Sequence, residues 1–176
     1  SEQPCKSNEG PRVTPVAGQG VPEKALRGRR IAGVRPVPRL SGEAIRQLIA
    51  RHLRGMHENS PPESVHAFDI DKLRDPSVTF WSAWVGGELA GCGALKRIDA
   101  KRGEIKSMRV ADAWLGKGIG RAMLDHIVAE ARRAGMTSLW LETGSAAAFV
   151  PALKLYETAG FERCGPFDGY VEDPFS

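Results

Sequence analysis

The sequence predicts an α/β fold built on one mixed sheet, and three observations support this class. Strand-like apolar patterns over residues 78–85, 89–95 and 104–110 are typical of strands that pair in an antiparallel meander. A glycine-rich loop at residues 115–120 then leads directly into an amphipathic helix pattern. Beyond that helix, strand and helix patterns alternate as far as residue 161, which favours a β-α-β crossover at this end of the sheet.

The length and composition predict one domain behind an unstructured tail. The chain has 176 residues, enough to bury a core of its own. Residues 1–29 are rich in Pro, Gly and charged side chains and show no apolar periodicity, which predicts a disordered or extended tail. We therefore place a single domain at residues 30–176.

Charge and cysteine content exclude several classes of function. The formal net charge is +4, and no run of Lys and Arg is interleaved with aromatic residues, so we expect no nucleic-acid partner. No apolar stretch is long enough to span a bilayer, and no secretory signal opens the sequence. The three cysteines match no zinc spacing, and His57-Glu58 lacks the second histidine of a metalloprotease helix. We expect a cytoplasmic protein without a metal or a membrane contact.

The N-terminal part of the domain predicts a strand at Ile31–Arg35 followed by two helices. Ser41 is a suitable N-cap for a helix whose apolar side chains recur on one face as far as Met56. Ser60-Pro61-Pro62-Glu63 has the spacing of a capping box with Pro at N1, which predicts a short second helix. The segment 69–75 predicts a loop or one further helical turn.

The central part predicts a meander of three antiparallel strands. The first two are Val78–Val85 and Leu89–Leu95, and Gly86-Gly87 between them suits a two-residue hairpin turn because both positions can adopt positive φ. A loop over residues 99–103 then leads to the third strand, Glu104–Val110.

The C-terminal part alternates helices and strands. A helix from Gly118 to Ala134 buries one apolar face and ends before Gly135, a good residue for a helix C-terminus. Leu139-Trp140-Leu141 has no polar alternation, which predicts a strand buried on both faces. A helix at Ala147–Ala159 and a last strand from Gly160-Phe161 complete the predicted order.

The segment Leu115-Gly116-Lys117-Gly118-Ile119-Gly120 is the strongest functional signal. Three glycines between a strand and a helix leave backbone N–H groups pointing outward, which is how proteins hold a phosphate group at a helix N-terminus. The segment is not a P-loop, because no Gly-Lys-Ser/Thr ends it. It is not a dinucleotide fingerprint either, because Arg121 or Met123 falls where the last glycine is needed. We expect it to bind a diphosphate; the alternative is a flexible loop that binds nothing.

Two motifs resemble those of the Gcn5-related N-acetyltransferase (GNAT) superfamily. The glycine loop resembles its acyl-CoA-binding motif, Arg/Gln-x-x-Gly-x-Gly/Ala, with Gly118 and Gly120 at the glycine positions. The run Leu155-Tyr156-Glu157-Thr158-Ala159-Gly160-Phe161 resembles its Leu-Tyr-x-x-x-Gly-Phe segment. The resemblance spans residues 30–176 and is closest to a bacterial subgroup of largely uncharacterised members. It implies a GNAT fold, which is a mixed, mostly antiparallel sheet of six or seven strands flanked by helices, and acetyl-CoA as co-substrate.

The sequence departs from the family pattern at three places. Leu115 stands where Arg or Gln is usual, and Phe149 stands where many members carry an Asn that contacts the pantetheine arm. The sequence ends at Ser176, before the final strand of the family sheet, so we expect that strand to be missing or to come from elsewhere. Since the loop acts through its backbone, Leu115 weakens the match only slightly.

The resemblance also implies where the coenzyme binds. The backbone of the third meander strand would meet the pantetheine amides, and the N–H groups of the glycine loop would hold the diphosphate, with charge added by Lys117 or Arg121. The implied cofactor-binding residues are Met108, Arg109, Val110, Leu115, Gly116, Lys117, Gly118, Ile119, Gly120, Arg121 and Phe149.

Acetyl transfer from a thioester to an amine requires a neutral amine and a proton donor for the leaving thiolate. The resemblance places Tyr156 beside the CoA sulfur, where its hydroxyl can act as the acid; the alternative is a Tyr that only packs between helix and sheet. Glu104 is the candidate base, directly or through water, although a solvated Glu at a strand start would give the same pattern. Strict alternation puts Glu104 on the same face as Lys106, Met108 and Val110.

We therefore expect an N-acetyltransferase that acts on a primary amine of a small molecule, an amino acid or a peptide. Glu142, His57 and His66 are the candidate contacts to this acceptor, and Glu142 is also the second candidate for the base. The alternative is a non-catalytic acyl-CoA-binding sensor or regulatory module. The Gly86-Gly87 hairpin and the missing last strand leave a sheet edge available for pairing, which predicts a homodimer.

Overall fold

The computed structural model describes residues 31–37, 42–59, 71–165 and 167–168. Within them, five strands form one sheet in the order β1-β2-β3-β4-β5, and three α-helices flank it. The strands are β1 (Ile31–Pro36), β2 (Val78–Val85), β3 (Glu88–Arg97), β4 (Arg102–Val110) and β5 (Ser138–Leu141). The helices are α1 (Glu43–Asn59), α2 (Ile119–Arg133) and α3 (Val150–Thr158), and the short 3-10 turns are Lys72–Arg74, Asp112–Trp114 and Ala147–Phe149.

The sheet is mixed, as the sequence predicts. Strands β1 to β4 pair antiparallel in chain order, and β5 joins β4 in parallel after the crossover through α2. Gly86 and Gly87 form the two-residue turn between β2 and β3 with φ of +58° and +84°, which confirms the predicted hairpin. Leu139 and Trp140 of β5 are both buried although adjacent residues face opposite sides, so this strand is covered on both faces, as expected.

Among the described residues, the strands are fewer than predicted, and one reason is the segment Gly160-Phe161. It forms no strand but closes helix α3: Gly160 has a φ of +90°, and its N–H donates to the Glu157 carbonyl. The Phe161 N–H donates to the Tyr156 carbonyl, and the Phe161 ring is buried. These two bonds are those of a Schellman C-cap with its apolar contact. The described residues therefore hold five strands rather than six or seven.

Other boundaries shift by small amounts. The last helix begins at Val150 after a 3-10 turn at Ala147–Phe149, with Pro151 in its first turn. The segment predicted as a loop or turn at 69–75 contains the 3-10 turn Lys72–Arg74. The predicted tail over residues 1–29, the Ser41 cap and the capping box at residues 60–63 lie outside the described residues.

Each face of the sheet has its own hydrophobic core. Helix α1 packs on one face with the apolar residues Ile45, Leu48, Ile49, Leu73, Phe80, Cys92 and Ala94. Helices α2 and α3 pack on the other face with a larger set that includes Trp81, Leu95, Ile105, Ile119, Met123, Leu124, Ile127, Leu139, Tyr156 and Phe161. In the described part of the chain, no helix is both long and apolar enough to cross a membrane.

A β-bulge interrupts β4. Cys92 of β3 pairs with Arg109, whereas Ala94 pairs with Lys106, so β4 carries one residue more than β3 over this stretch. Ser107 lies in the bulge with a φ of +52°. One inserted residue reverses the alternation of side chains along a strand.

The bulge overturns the prediction that one face of β4 holds Glu104, Lys106, Met108 and Val110 together. Met108 and Val110 pack into the α2 core, which also holds Ile105 from the other side of the bulge. Glu104 and Lys106 point to the α1 face instead, since Lys106 is paired with Ala94 of the α1 core. Strict alternation fails because the position of a bulge depends on how two strands pair, and the pattern of one strand does not show this.

Candidate active site

Strand β4 has a stretch of backbone beyond its contact with β5. The parallel pairing ends at Ile105 and Leu141, whereas β4 continues to Val110. The backbone of residues 107–110 on this side therefore has no β5 partner among the described residues. A ligand with amide groups can pair with such an edge as an added strand would.

The glycine loop follows at the end of this edge. A 3-10 turn at Asp112–Trp114 and a turn at residues 115–118 lead into α2, and the φ angles of Gly116 and Gly118 are +69° and +80°. Only glycine adopts these angles without steric cost. Gly120 is closely packed: a Cβ there would lie 3.3 Å from Leu155 and 3.4 Å from Val110, so these side chains would have to shift slightly to admit one.

The loop leaves most of its N–H groups without a backbone acceptor. The N–H groups of Leu115 and Lys117 donate to the Asp112 and Trp114 carbonyls at 3.3 and 3.4 Å. Within the part of the chain that the structure describes, the loop N–H groups that donate to no backbone carbonyl are those of Gly116, Gly118, Ile119, Gly120 and Arg121. They lie at the N-terminus of a fifteen-residue helix, where the helix dipole favours an anion.

The two basic side chains of the loop have partners within the protein. The Lys117 ammonium donates to the Ala113 carbonyl at 2.7 Å and lies 4.9 Å from the Trp114 ring centroid. The Arg121 guanidinium donates to Asp125 at 2.8 Å, one helical turn along α2. Their part in binding a phosphate stays a prediction, and it requires either side chain to share or exchange its partner.

Glu104 lies in a cluster of four charged side chains on the α1 face of the sheet, which we call the charge cluster: Lys106, Glu104, Lys96 and Asp168. Glu104 is 1% exposed, and its carboxylate accepts from the Lys106 ammonium at 2.8 Å. The Lys96 ammonium lies 3.8 Å from the other Glu104 oxygen and 3.4 Å from Asp168. The charges alternate in sign, which offsets much of the cost of burying them.

This environment differs from the two that the sequence suggested for Glu104. The prediction that Glu104 opens the strand is wrong, because β4 begins two residues earlier, at Arg102. Glu104 is buried and its backbone pairs with β3 and β5 on both sides, so it is not a solvated residue at a strand start. Sequence reasoning missed Lys96 and Asp168. Lys96 lies beside Glu104 because the two residues pair across β3 and β4. Asp168 joins them because the C-terminal segment returns to Lys96.

Tyr156 lies on α3, and its side chain is buried in the core between the sheet and helices α2 and α3. Its ring meets the Phe161 ring edge-on at 5.9 Å between centroids. Burial raises the pKa of its hydroxyl well above the usual value for Tyr, because the phenolate would lose its solvation. The hydroxyl therefore keeps its proton at neutral pH and can serve as a hydrogen-bond donor.

A second charged group, which sequence analysis did not find, links β4 to α1 and to the glycine loop. Asp112, at the start of the 3-10 turn, accepts from Arg109 of β4 at 3.2 Å and forms an ion pair with Arg51 of α1. His52 of α1 lies beside Arg109, and burial together with that guanidinium lowers the pKa of His52 to about 4. These contacts hold the end of β4 against α1 at the point where the loop begins.

The remaining predicted contacts belong to separate elements of the fold. Glu142 directly follows β5 and is half-buried. Phe149 packs its ring against Gly144, where any side chain would collide with it. His57 is exposed in the last turn of α1, and His66 lies outside the described residues. Over the ranges that the structure describes, no three His, Cys, Asp or Glu side chains form a group that could hold a metal ion.

Comparison with known proteins identifies the family. The model of the acetyltransferase (GNAT) family matches residues 43–161. The uncharacterised N-acetyltransferase YsnE of Bacillus subtilis (strain 168) is 54% identical over 137 residues, which cover 78% of this chain and 91% of the relative. The uncharacterised N-acetyltransferase YedL of Escherichia coli (strain K12) is 48% identical over 137 residues, which cover 78% of this chain and 86% of the relative.

A solved structure has the same fold. The GNAT family acetyltransferase from Elizabethkingia anophelis with acetyl-CoA bound superposes with a TM-score of 0.57 at 23% identity, over 74% of this chain and 75% of that one. The family model and the relatives, taken with the glycine loop and the open edge of β4, show that the chain belongs to the GNAT acetyltransferase family, whose members are N-acyltransferases with acetyl-CoA as co-substrate.

Proposed function

We propose that the protein transfers the acetyl group of acetyl-CoA to a primary amine by direct attack, with Glu104 as the base and Tyr156 as the donor to the leaving sulfur. One observation carries this proposal: a row of N–H groups without backbone acceptors and a buried carboxylate lie on the same strand-loop-helix unit. The first suits a diphosphate and the second suits an ammonium group that must lose a proton. Small-molecule, amino-acid and peptide amines all meet this requirement.

Binding of the donor starts from the glycine loop. The diphosphate accepts from the N–H groups of Gly116, Gly118, Ile119, Gly120 and Arg121, and the α2 dipole adds to this attraction. The pantetheine arm then follows the unpaired edge of β4 along Met108, Arg109 and Val110. This path brings the thioester towards the bulge at Ser107, past which the charge cluster begins.

Glu104 supplies the acceptor for the proton of the amine. An alkylammonium has a pKa near ~10, so an amine at neutral pH must give up a proton before or during attack. The Glu104 carboxylate is buried beside two ammonium groups, and a carboxylate held in this way is fixed in position and cannot turn out into water. Transfer through one water molecule extends its reach along β4 towards the bulge.

Tyr156 supports the leaving thiolate. The pKa of a CoA-like thiol is near ~8.5, and the raised pKa of Tyr156 favours donation of a hydrogen bond to the sulfur over complete transfer of the proton. Glu142, His57 and His66 are proposed to contact the acceptor, since Glu142 follows β5 and His57 lies in the last turn of α1.

A binding measurement and a turnover measurement together test this function. Acetyl-CoA at 100 times its dissociation constant is expected to stabilise the protein by roughly 2.7 kcal/mol, which a thermal shift detects. A panel of amines then serves as acceptors, and release of free CoA is followed with a thiol reagent. Stabilisation together with amine-dependent release supports the enzyme. Stabilisation without release from any amine supports the sensor, and the absence of both contradicts the assigned loop.

The assembly and the location of the protein complete the proposal. Among the described strands, β5 pairs only with β4, so its outer edge is where a second copy is proposed to pair. Sedimentation is expected to show a dimer, and a monomer at high concentration would contradict it. Cys92 and Cys164 are free thiols, which supports the predicted location in the reducing cytoplasm.

A further inference from the structure

The charge cluster contains an internal group that resembles the expected acceptor. The Lys96 ammonium is a primary alkylammonium, and it bridges two carboxylates: Asp168 at 3.4 Å and Glu104 at 3.8 Å. Unlike the Lys106 side chain, which is 6% exposed, the Lys96 side chain is 30% exposed. It can therefore turn out into water and leave the position between the two carboxylates.

Asp168 reaches this position from a distant part of the chain, 72 residues beyond Lys96. Its φ is +43°, in the left-handed region, which Asp and Asn tolerate better than most residues. The neighbouring Phe167 ring lies 4.9 Å from the ring of Trp140, the residue that pairs with Glu104 across β4 and β5. The two aromatic rings thus belong to the residue before Asp168 in the chain and to the residue beside Glu104 in the sheet, and aromatic rings suit the hydrocarbon of an alkylamine.

From this arrangement we infer that Asp168 is the second anchor for the acceptor ammonium, and that Lys96 occupies the place of the acceptor until one binds. The inference rests on the proposed function. It also names the acceptor class: a primary alkylamine whose amine carbon carries hydrogen or hydrocarbon. An α-amino acid fits poorly, because its carboxylate would sit beside the nitrogen and face Glu104 and Asp168.

Two acceptors that differ by one carboxylate test this class. Leucine is 3-methylbutylamine with a carboxylate added on the amine carbon. CoA release is measured with both compounds for the native protein, for Asp168→Asn and for the control Glu88→Gln. The Asn side chain keeps the left-handed backbone and removes only the charge. Glu88 is an exposed carboxylate at the hairpin end of β3, eight residues before Lys96.

The loss of one charged hydrogen bond is expected to raise the KM for 3-methylbutylamine about tenfold in Asp168→Asn. We expect kcat and the KM for acetyl-CoA to change less than about twofold, and the KM for leucine to stay constant or fall. The different basicity of the two amines cancels, because each is compared with itself across variants. Glu88→Gln is expected to match the native protein. An unchanged KM for 3-methylbutylamine, or an equal change for both acceptors, overturns the inference.

Lys96→Met provides a second, opposite test. Without the Lys96 ammonium, the acceptor alkylammonium has no competitor for the position between Glu104 and Asp168. The KM for 3-methylbutylamine is therefore expected to fall. A KM that rises in a variant with a native melting curve overturns the inference. If the native protein releases CoA with these amines but the variants behave as the native protein does, only this inference fails. If no amine gives release, the proposed function fails and this subsite falls with it.

Discussion

The glycine loop and the charge cluster solve two binding problems in different ways. The loop uses N–H groups of neighbouring residues, Gly116 and residues 118–121, so its geometry is local and follows from a few backbone angles. The charge cluster uses side chains from β3, β4 and the C-terminal segment, and it exists only after these have been brought together. A site made of backbone tolerates changes of side chain, whereas a site made of paired charges does not.

Leu115 illustrates this difference. It replaces the Arg or Gln that the family motif usually has, and 59% of it is exposed. Its N–H closes the 3-10 turn by donating to the Asp112 carbonyl, so the loop keeps its shape whatever side chain residue 115 carries. In the charge cluster, by contrast, Glu104 and Lys106 are both buried, and removing one leaves the other without its nearest opposite charge, which typically costs about 3–5 kcal/mol.

The largest expected effect comes from the cluster. Glu104→Gln is expected to lower kcat by about 100-fold or more, because the amine loses its proton acceptor. The affinity for acetyl-CoA is expected to change by less than about twofold, since the loop is untouched. Steady-state CoA release gives the first value, and titration calorimetry with acetyl-CoA gives the second.

The control for this variant addresses folding. Glu104→Gln leaves the Lys106 ammonium buried beside a neutral group, so the double variant Glu104→Gln/Lys106→Met, which removes both charges, is measured in parallel. The loss of kcat should persist in the double variant. A double variant that regains native turnover would show that Glu104 serves stability and not proton transfer.

The pH dependence of the free energy of unfolding compares the two sides of the sheet, and its expected effect is intermediate in size. Burial and Arg109 lower the pKa of His52 on α1 to about 4, whereas an unfolded His titrates near ~6.5. The unfolded state therefore binds a proton first as the pH falls, and the free energy of unfolding drops between about pH 6.5 and pH 4. We expect His52 to account for about 1–3 kcal/mol of this drop, a range that allows for its partial exposure.

The measurement is urea unfolding at several pH values for the native protein, His52→Gln and His126→Gln. His52→Gln should lose less stability between pH 7 and pH 4 than the native protein. His126 of α2 is the matched control: burial also lowers its pKa, but Glu130 opposes the shift, so its variant should follow the native curve more closely. Equal curves for all three proteins would contradict the position of His52 against Arg109.

The smallest expected effect tests the loop with a pair of glycines. Gly118 and Gly87 have nearly the same φ, +80° and +84°, and a Cβ on either would meet no atom within 4 Å. Gly118→Ala and Gly87→Ala should therefore lose similar stability, about 1–2 kcal/mol, from the left-handed backbone. Only Gly118→Ala should weaken acetyl-CoA binding, by about tenfold. An equal affinity of both variants for acetyl-CoA would show that the diphosphate binds outside the glycine loop.

Patterns within the sequence were sufficient for the local elements of the fold. The Gly86-Gly87 hairpin, the strand-loop-helix unit around the glycine loop and the apolar strand at Leu139–Leu141 all formed as predicted. Each depends on neighbours in the chain: positive φ at glycine, a helix that begins after a turn, or a run of apolar residues. The glycine loop and the segment Leu155–Phe161 were sufficient to recognise the GNAT family, which the comparisons confirm.

The two errors in the predicted fold have different causes. Gly160-Phe161 reads as the start of a strand, but the buried end of α3 takes up Phe161 as a cap. The alternation of side chains along β4 reverses at Ser107, because β4 carries one residue more than β3 between their paired positions. The cap of α3 depends only on neighbours in the chain, and glycine at the position after a helix is its sequence signal. The bulge depends on strand pairing that no window of neighbouring residues contains.

The sequence by itself determined the glycine loop, since glycine at positive φ and free N–H groups at a helix start are properties of the backbone there. Only the tertiary structure decided which charges Glu104 meets. The bulge at Ser107 sends Glu104 and Lys106 to one face and Met108 and Val110 to the other, and the return of the chain places Asp168 beside Lys96. Attraction between charges depends on their separation in space, and for residues far apart in the chain the fold sets that separation.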